Sequence, residues 1–388
     1  MFADPRRIAI AFCAVCAFLN LYSAQSVLPF IAQELGMSAV EASMILTAGT
    51  LAVALTAPFT GAVSDLVGRK RMIIAAIALL VLPTLMIAFS QSLPELVLWR
   101  FIQGLLLPPI FTVAIAYVGD EWPPGEAATV IGIYAASSAI GGFLGRFTTG
   151  ALADSFTWRG GFVAIAAINL VCLSIVLWLL PHERNFVKAS SLFASIRQML
   201  NHFRNPRLLA TYVVGFGVMF CFMGTFTYIS FHLAPPPFNR SALFLGSIFI
   251  VYLGGSALAP WSGHFIRRFG RRVFVLWALA IWLGGLFLTL VPSVPVIIVG
   301  LAIFSTCGIL IQATSTGFVA ISAPAGTSGA VGIYVSSFYL GGTIGGWLPG
   351  LAYGASGWPA SLVIVAMMIA TMAVIVSIWW KEPRTDPA

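Results

Sequence analysis

Two arginines stand inside apolar stretches of the sequence, and their charge needs an explanation. Arg100 follows the residues LVLW, and Arg146 lies in GGFLGRFTTG, residues 141 to 150. A permanently charged side chain near the centre of a bilayer costs about 3 kcal/mol, so each position requires a partner, a water-filled cavity or a ligand. Three interpretations are open: each arginine caps backbone carbonyls at a helix break or reaches the surface, binds an anionic or polar group, or forms a latch with Glu95 or Asp154.

The composition indicates what kind of element must hold these arginines. Hydrophobic residues make up 60% of the 388 residues and charged residues only 8%, which is too few polar groups to cover a soluble domain. Runs of about 20 apolar residues cross a hydrocarbon core of about 30 Å as helices. The predicted spans are 8–33, 43–64, 72–91, 94–118, 129–152, 160–181, 208–232, 241–263, 273–291, 295–321, 330–354 and 358–380. The expected fold class is an all-α membrane protein with twelve transmembrane helices.

The basic residues alternate from loop to loop. They cluster before span 1 and after spans 2, 6, 8 and 12, whereas the opposite loops keep only Arg159 and Arg240. The positive-inside rule therefore places both termini in the cytoplasm. Because membrane orientation explains the net charge of +8, the expected partner is the lipid bilayer and not a nucleic acid.

The sequence repeats itself across a polar stretch at 183–207. GIYAASSAIGGFLG, which starts at Gly132, recurs as GIYVSSFYLGGTIG, which starts at Gly332. Because six spans separate the copies, both enter the membrane in the same direction as parallel repeats. We therefore predict an N-terminal six-helix bundle (1–182), a cytoplasmic linker (183–207) and a C-terminal six-helix bundle (208–388), with a solute site between the bundles of a monomer.

A loop motif, GAVSDLVGRKR, follows span 2. Its glycines permit a tight turn, and its arginine can reach an acid at the end of span 4. The residues expected to act in this motif are Gly61, Asp65, Gly68, Arg69, Asp120 and Glu121. The second copy, GHFIRRFGRR, has Arg267 in place of the aspartate.

Two more patterns lie in spans 4 and 5. LVLWRFIQG has the form L-x-x-x-R-x-x-Q-G, and span 5 has glycines spaced as in G-x8-G-x3-G-P-x2-G-G, at Gly132, Gly141, Gly145 and Gly150. Arg146 takes the proline place and Thr149 a glycine place. With the loop motif, these patterns resemble the major facilitator superfamily over essentially the whole chain, and among its members the twelve-span drug/proton antiporters. Close helix packing also explains the glycines.

The resemblance implies a proton-coupled secondary transporter of the bacterial inner membrane that exports a small solute by alternating access. In that family spans 1, 4, 7 and 10 line the cavity. The substrate-binding or coupling candidates, with Arg146 added from span 5, are Asn20, Tyr22, Gln25, Arg100, Gln103, Arg146, Phe222, Thr225, Tyr228 and Gln312. Aromatic walls with scattered polar groups suit amphipathic solutes, and the arginines suit anions.

Proton coupling has no obvious buried acid. The resemblance places an aspartate nine residues before the proline of the Leu28-Pro29 pair, but that residue is Asn20. A cationic solute would thus lack a counter-ion. The proton then has to be carried by the solute itself, by Glu34 or by His232.

Two alternatives to organic solute export stay open. Cys13 and Cys16 on span 1, with Met219 and Met223 on span 7, offer soft sulfur ligands of the kind that select Cu(I). Transport of a sugar or another metabolite is the second alternative. All five cysteines lie in spans, so no disulfide framework is expected.

Enzymatic activity is not expected from the motifs. The sequence has no G-x-S-x-G, no H-E-x-x-H and no G-x-x-x-x-G-K-[ST], so neither a hydrolase site nor a phosphate-binding loop is predicted. No cofactor and, apart from the Cu(I) alternative, no metal is expected. An ion or solute gradient would supply the energy.

Overall fold

The computed structural model describes residues 4–183, 202–323 and 327–380, and these residues form helices and connecting turns without a strand. Eleven helical segments of the described residues are long and apolar enough to cross a membrane, when the short helices within Leu93–Glu121 and within Ala242–Phe269 are each taken together. The last is interrupted at Ser356 and Gly357, whose backbone angles are not helical. With this interruption the described helices supply the twelve predicted spans, and the all-α membrane fold is confirmed.

The helices follow one another with short connections. The first eight are α1 (Pro5–Tyr22), α2 (Leu28–Leu35), α3 (Ala39–Val67), α4 (Arg69–Phe89), α5 (Leu93–Leu106), α6 (Pro108–Glu121), α7 (Pro124–Ser155) and α8 (Trp158–Leu179). The later ones are α9 (Pro206–Leu233), α10 (Ala242–Ser247), α11 (Val251–Leu258), α12 (Ser262–Phe269), α13 (Arg271–Leu288), α14 (Val294–Ser322) and α15 (Thr327–Trp379), with 3-10 turns at Ile248–Ile250 and Ala259–Trp261.

Three predicted spans are broken where the sequence analysis expected continuous helices. Span 1 stops at Tyr22 and resumes at Leu28, one residue before Pro29. Span 4 is interrupted at Leu107, just before two prolines. Span 8 passes through two 3-10 turns, the second of which contains Pro260. Proline has no N–H and its ring clashes with the preceding turn, so it interrupts the helical hydrogen bonds.

The chain divides into two compact units. The first comprises Met1–Leu192 and Phe226–Ile250, and the second comprises Phe193–Thr225 and Val251–Ala388. The end of α9, all of α10 and the first 3-10 turn therefore belong with the N-terminal residues. The predicted linker 183–207 falls mostly outside the described residues, so the assignment of two bundles stays a prediction.

Glycines allow the same close helix packing inside each unit. In the first unit, a Cβ atom added at Gly141 would lie 2.6 Å from the Val15 carbonyl oxygen, and one at Gly145 would overlap the carbonyl of Leu19. In the second unit, Cβ atoms at Gly341 and Gly345 would overlap the carbonyls of Phe216 and Phe220. The repeated glycine pattern thus brings α7 against α1 and α15 against α9. Small residues are what such close helix contacts require in membranes.

Candidate functional site

A hydrogen-bonded group of five buried polar side chains lies where α1, α4, α5 and α8 meet. Its members are Asn20, Thr84, Arg100, Gln103 and Asn169, all at most 1% exposed. Asn20 donates from Nδ2 to the Asn169 Oδ1 at 2.7 Å, and its own Oδ1 accepts from Thr84, Gln103 and Asn169 at 3.0 to 3.1 Å. The Gln103 amide also donates to Thr84 at 2.9 Å. We call this group the polar network.

Arg100 occupies the end of the polar network nearest the break in α1. Its Nη1 donates to the Asn20 carbonyl at 2.9 Å, its Nη2 to the Leu21 carbonyl at 2.6 Å and its Nε to the Ile45 carbonyl at 3.2 Å. A further hydrogen bond from Nη1 reaches Gln103. The last carbonyls of a helix lack intrahelical donors and carry partial negative charge. The geometry therefore favours the first interpretation, in which this arginine caps a broken helix.

Arg146 lies between two aromatic rings. Its guanidinium carbon is 4.2 Å from the centroid of Tyr22 and 4.2 Å from that of Phe249. The Nε donates to the Gln25 Oε1 at 2.9 Å, and Nη1 donates to the Gly142 carbonyl at 2.8 Å. Only 4% of the residue is exposed. Stacking on aromatic faces and hydrogen bonding to an uncharged amide let the charge remain buried.

The segment Phe226–Ile250 is packed against α1 and α7 around Arg146. Gln25 donates to the Thr227 hydroxyl at 3.3 Å, and a Cβ atom at Gly246 would lie 2.5 Å from the Arg146 carbonyl oxygen. Ser26 donates to that same carbonyl at 2.8 Å. Arg146 thus contacts this segment through both its side chain and its backbone.

The acids considered as latch partners are engaged by backbone amides. Asp154 accepts from the N–H groups of Ala242 and Leu243 at 2.9 and 3.0 Å, which caps the start of α10. Glu95 accepts from the Gln91 N–H at 2.9 Å. For Arg100 the latch interpretation is wrong, because its acceptors are carbonyl and amide oxygens of the described chain. Asp154 nevertheless ties α7 to α10, close to Gly150, where an added Cβ atom would overlap the Ala242 carbonyl.

The loop motif forms a charged cluster at the α3–α4 turn. Arg69 pairs with Asp65 at 3.1 Å and also with Asp120. Gly68 has a φ of 100°, a backbone conformation that favours glycine. Glu183 accepts from the backbone N–H groups of Arg69 and Lys70 at 3.0 and 3.4 Å. Among the other motif residues, Glu121 ends α6, whereas Gly61 and Gly132 have open space where a Cβ atom would stand.

The candidates from α9 and α14 have different surroundings. Phe222 lies in an aromatic cluster of the second unit, 5.2 Å from Tyr252 and 6.0 Å from both Trp282 and Phe304 between ring centroids. Tyr228 is fully buried in the first unit. The Thr225 hydroxyl is buried without a hydrogen-bond partner among the described residues, and Gln312 is half-buried on α14.

The sulfur residues of the Cu(I) alternative are the cysteines of α1, in the first unit, and the methionines of α9 that belong to the second unit. Cys13 and Cys16 are fully buried, and the Cys16 thiol donates to the Asn169 Oδ1 at 3.5 Å. Met219 and Met223 pack around Gly342, where an added Cβ atom would lie 2.9 and 3.4 Å from their Cγ atoms. These contacts are those of helix packing, which is the usual role of such residues in apolar helices.

The two candidate proton carriers also differ. Glu34 is exposed, and although partial desolvation raises the pKa of its carboxyl, hydrogen bonds from Arg159 and from the Trp158 Nε1 outweigh it and hold that pKa below its ordinary value. Glu34 is therefore ionised at neutral pH. His232 is half-buried near the end of α9, with its ring 5.2 Å from that of Phe238.

Sequence reasoning missed Thr84, Asn169, Phe249 and Glu183. Asn169 did carry a signal, because it is the single amide in the apolar helix α8. Thr84 and Phe249 carried none, since both residue types are ordinary in apolar helices. The sequence placed Glu183 at the start of a linker and gave no reason to connect it with the loop at Arg69.

These observations define a class of protein: a polytopic α-helical membrane protein made of repeated halves, with glycine-packed helices and buried arginines. The chain belongs to the Major Facilitator Superfamily, whose family model matches residues 10–251 and 236–388. The expected family is thereby confirmed, and the protein is a transporter of that superfamily.

Relatives with similar length support the assignment. The chain is 29% identical to the inner membrane transport protein YnfM of Escherichia coli (strain K12), over 95% of this chain and 88% of that protein. It is 28% identical to the MFS-type transporter YybF of Bacillus subtilis (strain 168), over 96% and 92%. The solved nucleoside transporter NupG has a TM-score of 0.79 at 15% identity, over 97% of this chain and all of that one, so the fold is shared.

Proposed function

We propose that this transporter moves a small organic anion, or an amphipathic solute with an anionic group, by proton-coupled export across the bacterial inner membrane. One observation supports an anionic solute in particular. Within the described residues no Asp, Glu or Lys is buried, whereas Arg100 and Arg146 are. A positive, acid-free interior attracts anions and gives a cation no counter-ion. The similarity to YnfM supports the inner membrane, and the basic loops support cytoplasmic termini.

Arg146 is the residue that we assign to the solute, with Gln25 and Tyr22 beside it. Arg100 is held by three carbonyls and an amide, so its role in the proposal is to position the end of α1 together with Asn20 and Gln103. Arg146 instead has one face against Phe249, in the 3-10 turn Ile248–Ile250. Movement of that turn would uncover the guanidinium. An anion would then take the place of the Phe249 ring.

This exchange makes solute affinity depend on conformation, which is what alternating access requires. In the conformation described, Phe249 and Tyr22 cover the guanidinium and its affinity for an anion is low. In the alternate conformation, which we attribute to rocking of the two predicted six-helix bundles, the site is open. The resemblance of α7 to the antiporter motif supports export.

The proton has to travel on a group other than the arginines, because guanidinium groups stay charged at all physiological pH values. Glu34 is ionised and tied to Arg159. The proposal therefore assigns the proton to the solute itself or to His232. If the solute carries the proton, it has to be an organic anion with a titratable group, such as a carboxylate. A permanently charged sulfonate would be coupled to protons only if His232 carries the proton.

The test uses purified protein in liposomes that contain a pH-sensitive dye. Organic carboxylates, sulfonates, sugars, lipophilic cations and Cu(I) are added in turn, and proton movement is recorded for wild type, Arg146→Ala and Arg240→Ala. We expect proton movement with a carboxylate, its loss in Arg146→Ala, and wild-type behaviour in Arg240→Ala, which removes an arginine from an outer loop. Proton movement driven only by cations, sugars or Cu(I) would contradict the proposed solute class.

A further inference from the structure

The turn between α12 and α13 concentrates positive charge on the second unit. Arg267 and Arg268 lie in the last turn of α12, Gly270 makes the turn with a φ of 78°, and Arg272 lies in the first turn of α13. Arg267 and Arg268 are exposed. We call Arg267, Arg268 and Arg272 the basic surface. The neighbouring Arg271 is directed elsewhere, with its guanidinium 4.8 Å from the Phe318 ring centroid.

This charge has no matching carboxylates nearby in the chain. Residues 184–381 contain no Asp or Glu, and no residue of the basic surface forms an ion pair with another described residue. The repeat-related turn between α3 and α4 is different, because Asp65, Asp120 and Glu183 neutralise its arginine and cap its helix. The second copy therefore has the basic residues without the acids.

Two further features point to an external anion. The Arg272 Nε is buried and has no hydrogen-bond partner within the described residues, although buried donors are nearly always satisfied. In addition, Gly270, the residue before α13, provides no side-chain cap, and the first turn of α13 contains no acid, so no carboxylate of that turn accepts from its first amide groups. An anion at this turn would satisfy both kinds of donor.

The apolar neighbours of the basic surface indicate which kind of anion fits. Trp261, Phe269 and Trp277 are 65%, 51% and 67% exposed, and Arg268 lies 5.3 Å over the Phe269 ring. In a membrane protein, exposed tryptophans near basic residues mark the interface between acyl chains and headgroups. A soluble anion would make no use of these rings.

We propose that the basic surface binds the phosphodiester headgroup of an anionic glycerophospholipid, with its acyl chains against the exposed aromatic side chains. Arginine is suited to this task because its planar guanidinium donates two parallel hydrogen bonds to phosphate oxygens. Clusters of basic residues at the end of a transmembrane helix attract anionic lipids. The lipid thus supplies the negative charge that Asp65 and Asp120 supply in the first unit.

The experiment places the full-length protein in nanodiscs of phosphatidylcholine and titrates fluorescent phosphatidylglycerol or fluorescent phosphatidylcholine. We expect wild type to bind the anionic probe at least about tenfold more tightly than the zwitterionic one. Arg267→Gln/Arg268→Gln should abolish this preference. The matched control, Lys70→Gln/Arg71→Gln, removes two charges from the α3–α4 turn and should retain it.

Four outcomes would overturn the proposal. The first is a wild-type protein without preference for the anionic probe, a result that depends on no variant. The second is an unchanged preference in Arg267→Gln/Arg268→Gln. The third is displacement of the probe by millimolar inorganic phosphate, which would make the turn a site for soluble anions. The fourth outcome uses a chain shortened at Trp380, which lacks Glu382 and Asp386. If only this shortened chain prefers the anionic probe, the C-terminal tail occupies the basic surface in the full-length protein, and the proposal fails.

Discussion

The two units place different chemistry at repeat-related positions. Helix α5 begins with Leu93-Pro94 and α14 with Val294-Pro295. When these starts are aligned, Arg100 corresponds to Leu301 and Gln103 to Phe304. When Trp158 is aligned with Trp358, Asn169 corresponds to Ile369. In the first unit these residues form the polar network. In the second unit Leu301, Phe304 and Ile369 are at most 2% exposed and apolar. The fold therefore accepts either kind of interior at the same places.

The break in α1 explains part of this difference. Helix α1 ends at Tyr22, whereas the corresponding helix α9 continues without interruption to Leu233. An interrupted helix has carbonyls that lack the N–H donor of a continued helix, and Arg100 binds two of them, at Asn20 and Leu21, the first together with the Ser23 hydroxyl. A continuous helix satisfies its own carbonyls, so α9 needs no cation and can have Leu301 in that place. Backbone geometry and side-chain chemistry thus vary together between the units.

The largest effect is expected when the first unit receives the residue of the second. Arg100→Leu removes the donor of the Leu21 carbonyl and of the Gln103 amide oxygen, whereas the Asn20 carbonyl keeps its bond from Ser23. We expect a loss of about 4 kcal/mol at roughly 1 to 3 kcal/mol for each unsatisfied group. The loss of stability is measured by thermal unfolding in detergent. Leu301→Met, the control, should cost less than about 1.5 kcal/mol. Equal unfolding midpoints for Arg100→Leu and wild type would remove our explanation of the asymmetry.

Substitution of the contact glycines should have the same effect in both units, because each copy of the glycine pattern packs against a backbone carbonyl of a neighbouring helix. Gly145→Ala and Gly345→Ala each place a Cβ atom against a backbone carbonyl, of Leu19 and Phe220 respectively. We expect about 2 kcal/mol of destabilisation from each, the usual cost of overpacking. Gly132→Ala, where space is open, should be neutral or slightly stabilising. A cost at Gly145 alone would show that the two helix contacts differ.

Within the polar network, Asn169 and Asn20 should be coupled. Asn169→Ile introduces the residue of the second unit and removes a partner of Asn20, so we expect a loss of about 1.5 kcal/mol. Asn20→Cys introduces the corresponding Cys221. The double variant should cost less than the sum of the single variants, since neither amide is then left without its partner. Strict additivity in a double-mutant cycle would show that the two amides act independently.

The smallest effect concerns the tryptophans at the start of α8 and its counterpart. Trp158 donates to the Glu34 carboxylate, whereas Trp358 donates to the Thr289 hydroxyl at 3.2 Å and its carbonyl at 3.3 Å. Because the pKa of Glu34 is lowered in the folded protein, its stabilisation is present above the unfolded pKa of about 4.3 and disappears as pH falls through the folded pKa. Glu34→Gln should therefore lower the unfolding midpoint at pH 7, and this difference from wild type should vanish at an acidic pH below the folded pKa.

For comparison, Thr289→Val removes a partner of Trp358 that does not titrate. Its effect on the unfolding midpoint should be the same at both pH values. If the difference between Glu34→Gln and wild type persisted at the acidic pH, the contact would not depend on the ionised carboxylate. The exposure of the Glu34 side chain, 44%, keeps the expected shift small because solvent screens the pair.

Much of the fold was predictable from local sequence. Long apolar runs set the number of spans, because only helices satisfy every backbone group within one segment of a membrane. The repeat located the glycine faces that bring Gly141 and Gly341 into contact with neighbouring helices. The helix breaks at Leu28 and Leu107 were missed, although prolines marked them, because hydrophobicity alone does not register a missing N–H.

The candidate site was predictable only in part. Arg100, Arg146, Asn20, Gln25 and Gln103 were recognised because polar side chains are costly in apolar segments. Their partners Thr84, Asn169 and Phe249 come from distant helices and are unremarkable in sequence. Spacing along one helix identifies a face but does not specify which residue of another helix lies opposite.

By itself the sequence determined that this is a twelve-span, duplicated membrane protein with arginines in its interior, since composition, length and repetition act locally. Tertiary structure decided what each arginine does. It brought Arg100 to the open end of α1 and stacked Arg146 between Tyr22 and Phe249, two residues separated by more than half the chain. The physical reason is that a buried charge is stabilised by the groups around it in space, and packing of distant helices supplies those groups.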